Sequence, residues 1–424
     1  MRRTGFGATG TAVDAALKVG ASEYVRVALA TQSAQDAGGR ATPRPQFPVI
    51  ARAAENATAA DKKKANAARR EQLVALGSWW LRRMVAVHQP FEEKLTFCWH
   101  NHFATSATKV RSATLMGAQN DSLRRLGRGG FTALAQAMLI DPGMLRWLDG
   151  EQNTVKGANE NLAREFMELF ALGHGDGYTE DDVRNGARAL TGWRIDSGGH
   201  AQLRPRLHDQ SAKTVLGVTG NLDQVGFGNA VLARPASAQF VATRLFHQFV
   251  SDGDPDGATV ARFLSAYGSG RDLGALLHTM LTDPSFANAA NSYVIGPVEW
   301  LVGMLRALGV PVSDDATAKR LLAGLRRLGQ LPLYPPDVSG WPSGQAWMST
   351  AAAETRMQLA TKVAATTDLS TITEASAADR IDAVGYRLGV GRWSARSLAA
   401  LKPVVAKPPT LLAVAVNTPE YLVH

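Results

Sequence analysis

The sequence contains very little cysteine: Cys98 is the only one among 424 residues. A single cysteine excludes an intramolecular disulfide framework and a zinc site built from several cysteines. Because Cys98 shares an apolar pattern with Leu95 and Trp99, we expect it to be a small buried hydrophobic residue. The chain also has no apolar run close to the roughly 18 residues of a membrane-spanning helix, so no transmembrane segment is predicted.

The signature motifs of several enzyme classes are missing as well. No glycine-rich phosphate loop follows a strand pattern, and neither a Gly-x-Ser-x-Gly turn nor a His-Glu-x-x-His motif occurs. The sequence therefore gives no support to dinucleotide oxidoreduction, P-loop hydrolysis, serine hydrolysis or zincin proteolysis. It also leaves the cofactor unknown.

Clusters of basic charge are scarce, although the net charge is +9. The one dense run, residues 62–64 followed by Arg69 and Arg70, lies in an alanine-rich segment typical of a solvated helix or linker. A nucleic-acid site needs basic residues clustered on one face, so no nucleic-acid partner is predicted. Arg2 and Arg3 are not followed by the hydrophobic region of an export signal. We therefore expect a cytoplasmic protein as the chain stands, or an exported one if a signal was removed.

What the sequence does have is apolar residues at helical spacing along most of its length. Helices are predicted at residues 11–31, at 61–88 and over most of 235–401. Residues 33–58 and 194–230 are irregular, and the second segment carries short β-like pieces such as 214–218. We predict an all-α fold, a multi-helix globular array with one irregular Gly-rich insertion. The predicted regions are 1–60, 61–193, 194–230 and 231–424, and the last shares a core with 61–193.

Glu165 stands where a helix should be apolar. At about 100° per residue, one face of the helix is formed by apolar residues, namely Leu162, Phe166, Leu169, Phe170 and Leu172. Glu165 falls inside this face, with Arg164 near its edge. A carboxylate turned toward a core must find a cation, a metal or several donors, or take up a proton. We therefore expect Glu165 to be largely buried and to contact a cation from another helix, as an ion-pair anchor or as a functional acid.

Several ordered segments resemble one bacterial family, known as domain of unknown function 1800. They are residues 2–7, 90–103, 159–193, 234–245, 296–300 and 328–341. The resemblance implies a largely helical protein, often exported and often encoded beside a second protein of unknown function. One departure is Arg234, where the family usually has His, so any role of that His does not transfer.

The segment 90–103 carries two histidines close together. In a helix, His100 and His102 point about 200° apart and cannot bind one ion together. Glu93 lies seven residues before His100 on the same side, so these two form a candidate pair for acid–base chemistry. We expect His102 to be a hydrogen-bonded core histidine. If the helix breaks near Trp99, both histidines could bind a metal, and that alternative stays open.

The irregular segment carries three further candidates, His208, Asp209 and Lys213. Either they belong to a functional loop at the main cleft, close to the helix of Glu165 or that of Glu93, or they fix the loop in place. Lys213 could pair with Asp209 or contact an anionic substrate. Trp193 and Trp341 lie among Gly and Pro at the ends of predicted elements. Exposed in a cleft they would stack on a sugar ring; otherwise they pack between helix ends.

Three functions are consistent with these residues. The first is a hydrolase acting on a cell-envelope or matrix polymer, for example a glycan. Its catalytic residues would be Glu93, His100, Glu165, His208 and Asp209, and its substrate-binding residues Arg164, Trp193, Lys213 and Trp341. The second is a non-catalytic helical scaffold or accessory protein for a partner encoded nearby. The third is a metalloenzyme using His100, His102 and Glu165.

Overall fold

The computed structural model describes residues 1–50, 56–175, 177–288 and 293–424. It is 61% helical and only 4% strand, which confirms the predicted all-α class with a small strand-containing insertion. The described residues form the following α-helices: α1 (Gly10–Val19), α2 (Ala21–Ala30), α3 (Ala37–Ala41), α4 (Ala59–Ala86), α5 (Phe91–His102), α6 (Ala107–Val110), α7 (Ala113–Leu126), α8 (Phe131–Leu139), α9 (Pro142–Trp147), α10 (Asn161–Glu165), α11 (Glu180–Ala189), α12 (Gln224–Leu232), α13 (Pro235–Phe249), α14 (Gly257–Tyr267), α15 (Leu273–Thr282), α16 (Pro284–Asn288), α17 (Pro297–Leu308), α18 (Asp315–Arg327), α19 (Thr350–Ala364), α20 (Ser370–Thr373), α21 (Arg380–Arg387), α22 (Ala395–Leu401), α23 (Pro408–Ala415) and α24 (Pro419–Leu422).

Helix ends follow local chemistry. Thr58 caps α4 by accepting a hydrogen bond from the backbone of Asp61, and Thr179 forms a capping box with Asp182 at the start of α11. The single helix predicted over 11–31 is instead two helices. Gly20 separates them because its φ of 83° lies in the left-handed region that a continuing helix cannot adopt.

The insertion contains two antiparallel hairpins. Strand β1 (Trp193–Ile195) pairs with β2 (Ala201–Leu203), and β3 (Lys213–Val215) pairs with β4 (Val218–Gly220). Leu216 and Gly217, which join β3 to β4, both have positive φ, as a two-residue hairpin turn with right-handed twist requires. The β-like piece predicted at 214–218 is therefore part of a hairpin. Part of the connection predicted at 33–58, residues 51–55, lies outside the described residues.

Two hydrophobic clusters form the core, and residues from both 61–193 and 231–424 contribute to each. Helix α5 lies between the clusters: Phe97 belongs to one, and Phe91, Leu95 and Cys98 belong to the other. Every residue of α5 except Asn101 is buried. A helix enclosed on all sides must satisfy its charged side chains internally, and this requirement determines how α5 is held.

None of the helices in the described ranges is both long enough and apolar enough to cross a membrane.

Candidate functional site

Glu93 is fully buried and is held by two arginines from other helices. Arg83 of α4 donates from Nε to Oε1 over 2.6 Å, and Arg124 of α7 donates to both carboxylate oxygens over 2.8 and 2.9 Å. The indole N–H of Trp80 donates to Oε2. Although burial opposes ionisation, Arg124 and Arg83 hold the pKa of Glu93 at about 2. Glu93 is thus a permanently charged anchor joining α4, α5 and α7.

The neighbouring Glu92 extends this network to the N-terminal region. Arg128 donates to its Oε1 over 2.6 Å, and the backbone N–H of Ser33 donates to its Oε2 over 2.6 Å. Arg83 reaches the Ser33 hydroxyl as well, over 2.7 Å. Because each of these charges has a partner inside the network, the arrangement satisfies the two carboxylates in the enclosed first turn of α5.

His100 and His102 point into different surroundings, as the helical geometry predicts. The rings of Trp80 and Trp341 enclose His100 with centroids 5.5 Å away, and Glu93 binds the arginines and not His100. His102 donates from Nε2 to the carbonyl of Phe170 over 2.9 Å, which confirms a hydrogen-bonded core histidine. Burial lowers the pKa of both histidines to about 3. Both are therefore neutral, and the predicted Glu93–His100 pair shares a helix side without a hydrogen bond.

The metal alternative required His100, His102 and Glu165 to converge. Across the described residues, no group of three or more His, Cys, Asp and Glu side chains is arranged to hold a metal ion. The helix continues through Trp99 to His102, so the break that would have brought the two histidines together does not occur.

His208, Asp209 and Lys213 hold the insertion against the end of α11. Arg188 of α11 donates to Asp209 Oδ2 over 2.7 Å and holds the pKa of Asp209 at about 2 against the effect of burial. His208 donates from Nδ1 to the carbonyl of Thr191 over 2.9 Å. The buried ammonium of Lys213 donates to the backbone carbonyl of Asp209 over 2.6 Å. These contacts fix the loop, and none of them reaches α5 or α10.

The two tryptophans proposed for sugar stacking differ in position. Trp341 is buried, stacks on Phe97 with centroids 5.3 Å apart, and packs edge-on against His100. Its ring is therefore a packing anchor with no face open to a ligand. Trp193 is partly buried at the start of β1 and packs against the second hydrophobic cluster.

Glu165 is only partly buried, and no cation from another helix contacts it in the described part of the chain, so the expected ion pair is wrong. The reason is a change of helix type. Residues Phe166–Ala171 form a π-helix, in which Leu172 N–H donates to the carbonyl of Met167. A π-turn holds about one residue more than an α-turn, so the assumed 100° step fails. Arg164 instead binds Glu180 and Glu160 over 2.7 and 3.0 Å.

A second carboxylate, Glu168, lies three residues after Glu165 in the π-helix. His174 Nδ1 lies 3.7 Å from Glu168 Oε2. Burial and the neighbouring Glu168 raise the pKa of Tyr178 to about 12, so its hydroxyl stays protonated. Burial, and then the charge of Glu168, raise the pKa of Glu165 above its ordinary value. The two carboxylates thus differ: Glu168 has partners, whereas Glu165 is the one inclined to hold a proton.

A cavity of about 840 Å³ lies beside α1 and α2. Its lining is mostly apolar, and its two acidic residues are already bound: Asp283 by Arg262, and Glu420 by Ser394 and Ser397. The cavity therefore offers volume but no acid available for catalysis.

The model of one protein family, described as protein of unknown function (DUF1800), matches residues 1–423. The chain belongs to this DUF1800 family. No curated protein and no solved structure matches it.

Four of the segments that resemble DUF1800 meet at the C-terminal end of α5. The backbone N–H of Trp341 donates to Asn101 Oδ1 over 2.7 Å, which joins segment 328–341 to segment 90–103. His102 contacts segment 159–193 through the Phe170 carbonyl and segment 234–245 through the ring of Phe240, 6.2 Å away. Arg244 also lies here. An arginine within a helix has no distinguishing signal in the local sequence.

Proposed function

We propose that the protein is a hydrolase of a cell-envelope or matrix polymer, with Glu165 as general acid and Glu168 as the second carboxylate. The observation that carries the proposal is the unequal carboxylate pair at the start of the π-helix. Glu168 is flanked by His174 and Tyr178, while Glu165 has no cation from another helix in the described structure. A carboxylate whose environment raises its pKa, lying beside a second carboxylate, is a usual arrangement for the acid of glycoside cleavage.

The chemistry requires only these two groups and water. Glu165 donates its proton to the oxygen of the leaving group as the bond to that oxygen breaks. Glu168 accepts a proton from the attacking water, so one water is consumed and the net charge is unchanged. Glu168 then releases its proton to solvent and Glu165 takes one up, which restores both groups. Arg164, bound to Glu160 and Glu180, holds α10 against α11 beside the pair.

The position of the pair favours a polymer over a small molecule. The side chain of His174 is 76% exposed and that of Glu168 is 23% exposed, so the pair lies at an open edge of the protein. An open edge lets a long chain pass across the acid, whereas sites for small molecules usually enclose most of the ligand. The resemblance to a family whose members are often exported supports a polymer outside the cell as the substrate class.

The test is a screen of the purified protein against envelope and matrix glycans, with release of reducing ends as readout. Glu165→Gln should lower the rate by about 10²- to 10⁴-fold, the usual contribution of a general acid. Glu160→Gln is the matched control, because Glu160 lies in the same segment but binds Arg164. An unchanged rate in Glu165→Gln would remove this residue from the mechanism.

A second candidate function is a non-catalytic scaffold for a protein encoded nearby. It is favoured by the contacts of five residues first considered for chemistry, all of which serve internal networks: Glu93, His100, Asp209, Lys213 and Trp341. Co-purification with the neighbouring gene product, in the absence of hydrolysis of any glycan, would favour this function over the first.

A further inference from the structure

Helix α1 turns its apolar face to the large cavity instead of to the core. Val13, Ala16 and Leu17 follow one another at helical spacing, and all three line the cavity of about 840 Å³. Leu17 is 74% exposed, and Gly10 is the only buried residue of α1. Within the described structure, no residue of α1 belongs to either hydrophobic cluster. An amphipathic helix of a globular protein buries its apolar face, so we expect a group from outside the chain to cover this one.

Contacts elsewhere on α1 fix its position. Thr9 caps the helix by accepting from the backbone N–H of Ala12, and Asp14 accepts from the hydroxyl of Tyr386 over 2.7 Å. Gly10 lies so close to the Tyr386 ring that a Cβ there would clash with it. Moving α1 inward to fill the cavity would break these contacts. The cavity is therefore part of the fold.

The other walls of the cavity are also largely apolar. Leu281 lies near the end of α15, Phe286 in α16, and Val390 after α21. Packed protein interiors leave few spaces larger than a water molecule, whereas ligand pockets span roughly 300–1,000 Å³ and are lined mainly by apolar side chains. The volume and the lining therefore suit a flexible hydrocarbon chain.

Positive side chains outnumber negative ones around the cavity. Arg2 and Arg3 donate to main-chain carbonyls over 2.6–3.0 Å, which satisfies their hydrogen bonds but does not neutralise their charge. Arg392 is exposed, and its side chain makes no ion pair or hydrogen bond with any residue of the described ranges. Of the two acidic residues, Asp283 is neutralised by Arg262. The cavity therefore favours a ligand whose polar end is an anion.

We propose that this cavity binds a fatty acid, with the hydrocarbon chain against the apolar face of α1 and Phe286, and the carboxylate at Arg392. A guanidinium matches a carboxylate through two parallel hydrogen bonds. Burial of each methylene removes apolar surface from water and stabilises the complex. The binding is non-covalent. It is independent of the proposed hydrolase, because neither Glu165 nor Glu168 lines the cavity.

The experiment measures binding of octanoate, decanoate and laurate to the purified full chain by calorimetry, each kept below its micelle-forming concentration. We expect saturable binding of one laurate per chain. Each added methylene should tighten binding about fourfold, the effect of burying one methylene. Dodecyltrimethylammonium has the chain length of laurate but the opposite charge, and it should bind at least about tenfold more weakly. Arg392→Gln should reduce this preference for laurate.

A matched pair of variants locates the binding in the cavity. Ala16→Trp places a large ring in the space and should abolish laurate binding. Ala15→Trp is the control, because Ala15 is the neighbouring residue of α1 but is exposed and does not line the cavity. It should bind laurate as the wild type does. If Ala16→Trp does not fold, Ala287→Trp fills the cavity from α16 and should give the same loss.

Laurate should also raise the melting temperature of the wild type and of Ala15→Trp, but not that of Ala16→Trp. Three results would overturn the assignment. They are the absence of saturable laurate binding, laurate binding unchanged when the cavity is filled, and equal affinities for laurate and dodecyltrimethylammonium.

Discussion

Arg124 and Glu93 face each other across α7 and α5 through two parallel hydrogen bonds, Nε to Oε1 over 2.8 Å and Nη2 to Oε2 over 2.9 Å. Glu93 has no exposed surface, and Arg83 donates to the same carboxylate. Two cations around one buried anion make the geometry rigid and leave no proton for Glu93 to exchange near neutral pH. Glu93 therefore stabilises the fold and does not act as an acid or base.

Glu93→Gln should lower the free energy of unfolding by about 3–5 kcal/mol, because it leaves two arginines without their buried anion. Equilibrium denaturation with urea measures this value. Glu23→Gln is the control: Glu23 binds Arg26, but its side chain is 44% exposed, so its loss should lower the free energy of unfolding far less than Glu93→Gln does. Equal losses in the two variants would contradict the anchoring role of Glu93.

The partners of Glu93 show where prediction from the sequence stops. The spacing within 90–103 correctly placed Glu93 and His100 on one side of a helix and His102 elsewhere. The sequence could not indicate that Glu93 binds Arg83 and Arg124, 10 and 31 residues away, instead of His100. The packing of α4 and α7 on α5 determines which residues bind Glu93, and local periodicity does not predict that packing.

The low pKa of the buried histidines predicts that the stability of the protein depends on pH. The pKa of His102 is about 3 in the fold and near 6.5 when unfolded, so the unfolded chain binds its proton first as the pH falls. The folded protein therefore keeps its full stability with respect to His102 above pH 6.5 and loses stability as the pH falls toward 3. Burial raises the pKa of Asp141 to about 7. Asp141 therefore stabilises the fold as the pH falls from about 7 to 4, and a single curve of stability against pH would mix its effect with that of His102.

Comparing the wild type with the variant His102→Gln isolates the contribution of His102 to the pH dependence of stability. His102→Gln keeps a donor toward the Phe170 carbonyl but has no titrating group. Between pH 6 and 4, the wild type should lose about 1.4 kcal/mol more stability per pH unit than His102→Gln. Urea denaturation at these two pH values provides the comparison. Parallel losses would show that His102 is already charged in the folded protein.

Long periodic helices, capped ends and the hairpin near 214–218 could be predicted because each depends on residues close in sequence. The helix type at 166–171 could not be. Local periodicity assumes a constant step of about 100°, whereas this segment is a π-helix that buries Phe166, Met167 and Phe170 and moves Glu165 out of the arc expected for it.

The most direct test of the proposed acid is the pKa of Glu165, measured by NMR titration of the side-chain carboxyl carbon in glutamate-labelled protein. Glu165→Gln assigns the signal, and Glu180 is the internal reference because Arg164 lowers its pKa below 4.5. We expect Glu165 to titrate above 4.5, and Glu168→Gln to lower that value by removing the neighbouring charge. Titration of Glu165 at or below the pKa of Glu180, unaffected by Glu168→Gln, would contradict its role as the general acid.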